Sequence, residues 1–512
     1  MPLRAKADLH GYQDRAITHM YENDKALALL PVGAGKTVVG WTLIAELMDE
    51  GHVKRPVIFA PLRVAQIVWP HEPAEWAHLK GREIVNWGGA PKNWPESLWR
   101  ASRVLWGSRV HAERRLFKVE DVIKKRALKA KIAELEKEER AVNAKILESD
   151  PPPLPHVLGY ESLQWLCELY RPGASPFDLW MFDEIGKLKN PKSPRYKLVR
   201  KHTKLAPMVY GLNATPAPEG FEDLFAQVQV VDGGRLWGKS FYNWRKKYFV
   251  PADYQGYTWR MQIGALPLLS KDLNTVAFKV DEKELSYKKS LAHSQIKVQL
   301  PPKARAHYND MEKEMYVSLN KHALLQGDQT IVAMSEAVVS MKLRQIAQGF
   351  IYDEDGERHI LHEEKSNALA NLIDSMGRQP LLVAYEFKED LEAIRRVWKN
   401  VKYLGAGVSA STAQDNVNAW NRGEIPVMAL HPFSAGHGLN LQKGGCHICW
   451  YAIPWPLESF MQTNGRIDRQ GQTRACFGHH IIAENTKDQT ISDILIKKDA
   501  DQQRIIDAIR SV

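Results

Sequence analysis

Pro31-Val32-Gly33-Ala34-Gly35-Lys36-Thr37 follows an apolar run, Ala26 to Leu30, and precedes Val38-Val39-Gly40-Trp41-Thr42-Leu43-Ile44. The run before it reads as a buried strand, and the segment after it as the start of an amphipathic helix. Strand, glycine turn and helix is the setting a phosphate cradle requires. Backbone N–H groups of the turn and of the helix N-terminus face the phosphates, the lysine reaches the terminal ones, and the threonine hydroxyl holds Mg²⁺. Residues 31–37 are therefore the candidate ATP-contacting turn, with Lys36 its catalytic cation. The first glycine of the full phosphate-loop pattern is absent, and Leu30 stands in its place. The bland alternative is a glycine turn that opens an ordinary helix.

A second segment tips the balance. Trp180-Met181-Phe182-Asp183-Glu184 is an apolar strand that ends in two carboxylates. A carboxylate at the end of a neighbouring strand completes the metal site of a phosphate-loop ATPase. Asp183, with Thr37, is then the candidate Mg²⁺ ligand, and Glu184 the base that orients and deprotonates the attacking water. Acidic pairs at strand ends are common on their own. One that follows a Gly-Lys-Thr turn by about 150 residues is far harder to obtain by chance.

A chain of 512 residues is too long for one core, so two or more domains are expected. Charged residues make up 25% of it and apolar residues 44%, the balance of a soluble globular protein. No apolar signal core opens the chain and no apolar stretch reaches membrane-spanning length. Its four cysteines imply a reducing compartment rather than a disulfide framework. An intracellular, soluble protein with no membrane partner is the expectation. The net charge of +10 points towards a polyanionic partner. From Lys187 to Lys204 there are eight Lys or Arg, among them Lys187, Lys189, Lys192 and Arg195, and no acidic residue. This run begins three residues after Asp183-Glu184, which favours a phosphate-backbone track over a merely solvated face. A second basic cluster, Arg245-Lys246-Lys247, sits among Trp244, Tyr248 and Phe249.

Between about 107 and 150 the texture changes. Leu128, Ile132, Leu135, Val142 and Ile146 form the single apolar stripe of a long helix, which Pro151-Pro152-Pro153 ends. The stripe suits a helical insertion that lies on another element or folds into an antiparallel hairpin. Further on, Pro380 to Tyr385, Val427 to Leu430 and Cys449 to Ala452 read as strands, with a helix from Lys388 to Trp398. Strands alternating with helices indicate a second parallel α/β domain. It has no phosphate loop. It carries instead Ser434-Ala435-Gly436-His437-Gly438-Leu439-Asn440-Leu441 and Gln462-Thr463-Asn464-Gly465-Arg466-Ile467-Asp468-Arg469-Gln470-Gly471-Gln472. Arg466 and Arg469, three apart on one helical face, can reach a shared anion. If that anion is the γ-phosphate across an interdomain cleft, they are arginine fingers.

Taken together, these segments resemble the Swi/Snf-like branch of superfamily-two helicases and translocases along nearly the whole chain. Leu9-His10-Gly11-Tyr12-Gln13 looks like the adenine-reading Q motif, which makes Tyr12 and Gln13 ATP contacts. Pro61-Leu62-Arg63 through Trp69 and Trp76 is similar to motif Ia, with Pro61 and Arg63 the nucleic-acid contacts, and Tyr160-Glu161-Ser162 to the nucleic-acid motif after it. Asp183-Glu184-Ile185-Gly186 with Lys187-Leu188-Lys189-Asn190 is similar to motif II and its basic tail. Gly211-Leu212-Asn213-Ala214-Thr215-Pro216 looks like motif III. Leu300-Pro301-Pro302-Lys303 and Leu343-Arg344-Gln345 resemble stretches that lie between the two lobes in this branch. The Ser434 and Gln462 segments resemble motifs V and VI. They imply ATP contacts at Gly438 and Gln462 and nucleic-acid contacts at Ser434 and Asn440. Ile185-Gly186 and Asp468 depart from the usual pattern, at coupling positions rather than at phosphate-contacting ones.

The resemblance implies an α/β fold with two RecA-like parallel-sheet lobes. Residues 1–275 form the ATP-binding lobe, with the helical insertion at about 107–150. Residues 276–360 form a helical bridging region, and 361–512 the second lobe. The implied function is a DNA-stimulated ATPase that uses ATP and Mg²⁺ to move along double-stranded DNA, with protein partners supplying targeting. A strand-separating DNA or RNA helicase is the nearer alternative, and an ATP-gated clamp with weak hydrolysis the more distant one. Two local readings favour packing over chemistry. Cys446-His447-Ile448-Cys449 has zinc-ligand spacing, with Cys476, His479 and His480 as the nearby candidates, but the resemblance puts it on a buried strand. Trp180, beside a strand, is read as core.

Overall fold

The computed structural model describes residues 3–86, 96–116, 122–147, 151–218, 220–254, 258–280, 284, 291–324, 329–353, 355–377, 379–435, 439–469 and 471–495. The chain divides into two compact units, one running to Glu284 and the other starting at Leu285.

The first unit is built on β1 (Lys25–Leu29), β2 (Pro56–Ala60), β3 (Val85–Asn86), β4 (His156–Gly159), β5 (Leu179–Asp183) and β6 (Met208–Asn213). A small antiparallel hairpin, β7 (Phe249–Pro251) and β8 (Trp259–Met261), stands apart from the sheet, which β9 (Ala277–Lys279) completes. Seven strands lie in the order β3-β4-β2-β5-β6-β1-β9, every pair parallel. Parallel strands need crossovers that cover both faces, so β1, β2 and β5 read as unbroken apolar runs rather than alternating ones. On one face Phe59, Trp180 and Phe182 stack together, and Trp180 is core, as its sequence setting suggests. On the other face the helix Lys36–Asp49 covers Met181.

Two long helices, Glu96–Leu116 and Val122–Leu147, sit between β3 and β4. They pack antiparallel: Ser102 meets Asn143, while Arg109 meets Glu139 at 2.7 Å. Arg109 also reaches Glu168, and the Trp106 indole donates to the same carboxylate at 2.6 Å. The insertion is thus a hairpin that also rests on the helix Leu163–Leu169.

The second unit contains β10 (Ala292–Val298), an antiparallel pair β11 (Phe350–Tyr352) and β12 (Arg358–Ile360), then β13 (Leu381–Ala384), β14 (Lys402–Leu404), β15 (Val427–Leu430), β16 (His447–Trp450) and β17 (Phe477–Ala483). Its six-stranded sheet has the order β10-β17-β16-β13-β15-β14, again parallel throughout. Helices pack on both faces over two apolar clusters. Both units therefore have the RecA-like parallel-sheet architecture that the motifs imply. Residues 276–360 supply an edge strand to each sheet as well as the helices Pro302–Leu324 and Gln329–Gln348. The strand expected at Cys449 to Ala452 runs two residues earlier: His447 to Trp450 pair in register with β13, and the Tyr451 and Ala452 N–H groups then share the Ala384 carbonyl at its end, at 3.0 and 3.3 Å.

Candidate nucleotide site

The glycine turn leaves β1 with Leu30, whose N–H still bonds to the Asn213 carbonyl at 2.9 Å. Leu30 is fully buried and extends the strand by one residue, which is why the position tolerates a side chain where the full pattern has glycine. The tight turn follows, with Gly33 at φ 84° and Gly35 at φ 78°. Both angles lie in the left-handed region that glycine enters without steric cost. Gly35 caps the helix Lys36–Asp49. Lys36 and Thr37 therefore occupy the first helical positions, half-exposed, where unsatisfied N–H groups and the helix dipole favour an anion.

Tyr12 and Gln13 are brought onto this turn from the helix Gly11–Glu22. The Tyr12 hydroxyl donates to the Ala34 carbonyl at 3.3 Å, and Gln13 Nε2 donates to the same oxygen at 2.9 Å. Gln13 Oε1 accepts the His10 N–H at 2.8 Å, so the amide is held at both ends. A Cβ at Gly35 would lie 2.3 Å from Gln13 Nε2, a second reason for glycine there. Burial pushes the Tyr12 phenol up to about 12, which keeps it a donor.

Asp183 ends β5, two strands from β1 across β6. In register, Leu29 faces Asn213 and Asp183 faces Leu212, so turn and carboxylate share one sheet edge. Two interstrand spacings separate them, about 10 Å. In a parallel sheet the carboxyl ends of the strands point one way, and that edge is where ligands bind. Strand alternation puts Asp183 on the face of Met181, the face under the helix Lys36–Asp49. Asp183 is buried, its Oδ2 accepts the Trp69 indole N–H at 3.0 Å, and its carbonyl accepts the Tyr160 hydroxyl at 3.0 Å. Glu184 follows at φ 58°, a left-handed conformation uncommon for a residue with a side chain and typical of functional turns. Among the described residues no cluster of three or more His, Cys, Asp or Glu could hold a metal by protein ligands alone. A hydroxyl and a carboxylate at one edge fit Mg²⁺, which is commonly bound by one or two protein oxygens together with substrate phosphates.

The departing residues of motif II have structural work. Ile185 is buried under Gly211, where a Cβ would come within 2.9 Å of Ile185 Cδ1. A Cβ at Gly186 would sit 3.2 Å from Asn213 Nδ2. Asn213 in turn donates to Gln227 at 2.6 Å, and Gln227 to the Pro216 carbonyl at 2.6 Å. Motifs II and III thus meet through close packing and a buried amide pair.

The two basic clusters differ. Lys187, Lys192, Lys197, Lys201 and Lys204 are exposed, and Arg195 is half-buried, on or beside the helix Pro194–Thr203 that Ser193 caps. Within the run, Lys189 pairs with Asp223 at 3.4 Å and Arg200 donates to Gln229 at 2.8 Å. In the second cluster Arg245 pairs with Glu222, Lys247 pairs with Asp272 at 3.1 Å, and Lys246 stacks on Tyr242. Local acids therefore offset most of its charge. Arg63 is half-buried at the start of a π-helical turn, Val64–Val68, and Pro61 is buried with its carbonyl accepting the Ala65 N–H. Trp69 and Trp76 of the same segment are buried, so neither offers a face to a base.

In the second unit, the helix carrying Gln462 stops at Asn464. Arg466 and Arg469 therefore do not share a helical face, contrary to the reading from their spacing. Gly465 ends the helix, Arg466 N–H turns back to the Thr463 carbonyl, and Ile467 is drawn into the core. The two arginines are nevertheless gathered on one segment: Arg466 Nη1 donates to the Leu439 carbonyl at 3.3 Å, and Arg469 Nη1 to the Asn440 side chain. Arg466 is 5% exposed, whereas Arg469 is half-exposed. Gln462 is buried and donates to Glu458 at 3.1 Å, and Asn440 is exposed. Ser434 belongs to the helical turn Pro432–Ala435, and Gly438 lies outside the described residues. All four cysteines are buried free thiols, with Cys449 fully in the core.

Sequence reasoning missed the indole on Asp183. Its faint signal was a glycine, Gly40, inside an apolar helix beside Trp41, with a further tryptophan in the next segment.

No protein-family model matches the chain. It is 29% identical over 517 residues to putative protein p41 of Acyrthosiphon pisum secondary endosymbiont phage 1, covering 98% of each. It is 23% identical over 348 residues to the uncharacterized ATP-dependent helicase YqhH of Bacillus subtilis (strain 168), covering 63% of this chain and 58% of that one. Over 342 residues it is 22% identical to the SWI/SNF-related matrix-associated actin-dependent regulator of chromatin subfamily A-like protein 1 of Xenopus tropicalis, covering 64% of this chain and 33% of that one. The relatives with descriptive names are thus a helicase and a SWI/SNF-related protein, in keeping with the branch that the motifs resemble. A solved SWI2/SNF2 ATPase core of Sulfolobus solfataricus in complex with dsDNA aligns over 99% of this chain and 94% of that one, with TM-score 0.40 and 16% identity.

Proposed function

We propose that this chain is an ATP-hydrolysing motor that moves along double-stranded DNA. The observation that carries the ATPase reading is the shared edge of the first sheet, where Lys36-Thr37 after β1 and Asp183-Glu184 after β5 flank the end of β6. Gly33, Gly35 and the first turn of the following helix present backbone N–H groups to the phosphates, and Lys36 adds a positive charge. Thr37 and Asp183 would hold Mg²⁺, which neutralises phosphate charge when bound. Glu184 orients the attacking water and takes its proton as the γ-phosphoryl leaves ADP. Tyr12 and Gln13, seated on the Ala34 carbonyl, bind the base end of the nucleotide and keep the turn in shape. Arg466 and Arg469 act on charge that develops in the transition state.

The exposed lysines that follow Asp183-Glu184 support a nucleic-acid path in the first unit, with Arg63 contributing. Contacts of this kind are made to phosphates and carry no sequence preference. A triplex-displacement assay on duplex DNA tests the reading. ATP-dependent release of the third strand from an intact duplex is expected. Separation of the duplex itself would indicate a strand-separating helicase, and ATP-dependent retention without movement a clamp.

A further inference from the structure

Asp183 is held by a side chain from a different segment, and that side chain is tied to the phosphate-turn helix. The Trp69 indole N–H donates to Asp183 Oδ2 at 3.0 Å, and the Trp69 carbonyl accepts the Trp41 indole N–H at 2.8 Å. Both tryptophans are fully buried, with ring centroids 6.1 Å apart. Trp41 lies one turn and a half into the helix that begins at Lys36. Its neighbour Gly40 makes the arrangement possible: a Cβ there would lie 2.7 Å from Trp69 Cη2 and 2.9 Å from Met181 Sδ. A glycine inside a helix is unfavourable, and here it clears the space in which the Trp69 ring lies. The approach to Trp69 is special too, since the chain reaches it through the π-helical turn Val64–Val68, the kind of wide turn found at functional sites.

We propose that Trp69 is a positioning residue for the metal-holding carboxylate: its indole N–H fixes the Asp183 side chain for the cation, and Trp41 and Gly40 hold Trp69 in place. The proposal rests on the reading of Asp183 as a Mg²⁺ ligand. The chemistry favours indole for the task. It has one N–H, no acceptor and no titration in the physiological range, so it can only donate. A donor bound to one carboxylate oxygen sets the rotation of the group, and so the direction in which it offers its lone pairs to a cation or its water. Outer partners of this kind orient metal ligands, and their loss typically lowers metal affinity about 10- to 100-fold. Packing alone would ask only that the buried N–H find some acceptor. Trp76 does this in the same segment by donating to Glu72 at 3.0 Å, away from the site.

The pair of tryptophans supplies the test. Mn²⁺ binding in the presence of ADP, followed by electron paramagnetic resonance, reads the site without turnover. Trp69→Phe keeps an aromatic ring, a smaller one, and removes the donor, and is expected to weaken Mn²⁺ binding about 10- to 100-fold. Trp76→Phe is expected to leave it unchanged. If Trp69→Phe does not fold, as judged by circular dichroism, Trp41→Phe takes its place and should give a smaller loss in the same direction. Unchanged Mn²⁺ affinity in a folded Trp69→Phe protein overturns the proposal, as does an equal loss in Trp76→Phe. A wild-type protein that binds no Mn²⁺ with ADP would instead bring down the reading of the nucleotide site itself.

Discussion

The glycine turn of the first unit and the arginine turn of the second are both short irregular stretches, yet they are fixed by different means. The first is set chiefly by backbone, with the Tyr12 and Gln13 side chains seated on its Ala34 carbonyl. β1, β5 and β6 place its ends in register, and two glycines at positive φ shape it. Lys36 and Thr37 are left half-exposed, with their chemistry separable from the fold. The second is set by side chains. Arg466 is buried and holds the Leu439 carbonyl, while Arg469 reaches the Asn440 side chain from a half-exposed position. A site built on backbone can lose a catalytic group and keep its shape. A site whose shape depends on a buried arginine cannot.

Mutation can sharpen or break this contrast. The largest effect is expected at the backbone-built site. Glu184→Gln should bind ATP yet turn over at least about a thousandfold more slowly, since base and water-positioning groups of this class account for such factors. Its unfolding temperature should match the parent. Parent-like turnover would remove Glu184 from the role of base.

The arginines come next and should separate from each other. Arg469→Ala should lower kcat about a hundredfold or more with nucleotide affinity little changed, as expected for a group that acts on the transition state. Arg466→Ala should lower kcat similarly and also destabilise the second unit by about 1–3 kcal/mol, because it leaves a buried carbonyl without its donor. The double mutant should be little slower than either single, as for residues that act together. Equal unfolding temperatures for both variants would erase the distinction drawn between the two turns.

The smallest effect concerns the basic clusters. Reversing Lys192, Arg195 and Lys197 to Glu should weaken duplex binding and flatten its dependence on salt, by about 0.9 in log–log slope for each DNA phosphate no longer neutralised. Lys247→Gln should leave the slope unchanged, because Asp272 already pairs with that lysine. A slope indifferent to the triple reversal would return residues 187–204 to the role of a solvated face.

What could be read from the chain follows the same division. Strand ends announce themselves: β5 is an apolar run that ends in Asp183, and β1 one that runs into Gly33 and Gly35, so the first half of the site was legible. Leu30 is a departure from the motif's wording but not from its geometry, since it extends a ladder that can accept any buried side chain. Arg466 and Arg469 have helical spacing, but Gly465 and the burial of Ile467 end the helix before them, a tertiary effect that periodicity does not carry. The indole on Asp183 was illegible for a related reason. It joins residues 114 positions apart, and only the folded sheet brings β2 beside β5. The neutralised charge of Arg245 and Lys247 likewise depends on acids, Glu222 and Asp272, that lie 23 and 25 residues away in sequence but adjoin them in the fold.

The most direct test of the central claim is steady-state ATP hydrolysis by the wild-type protein and by Lys36→Ala, each with and without duplex DNA. Lys36 supplies charge to the phosphates rather than packing, so its loss should leave the fold intact. Turnover that rises on addition of duplex DNA in the wild type, and is absent in a folded Lys36→Ala protein under both conditions, is the expected result. Duplex-stimulated hydrolysis that persists in Lys36→Ala, or a wild-type rate indifferent to DNA, would contradict it.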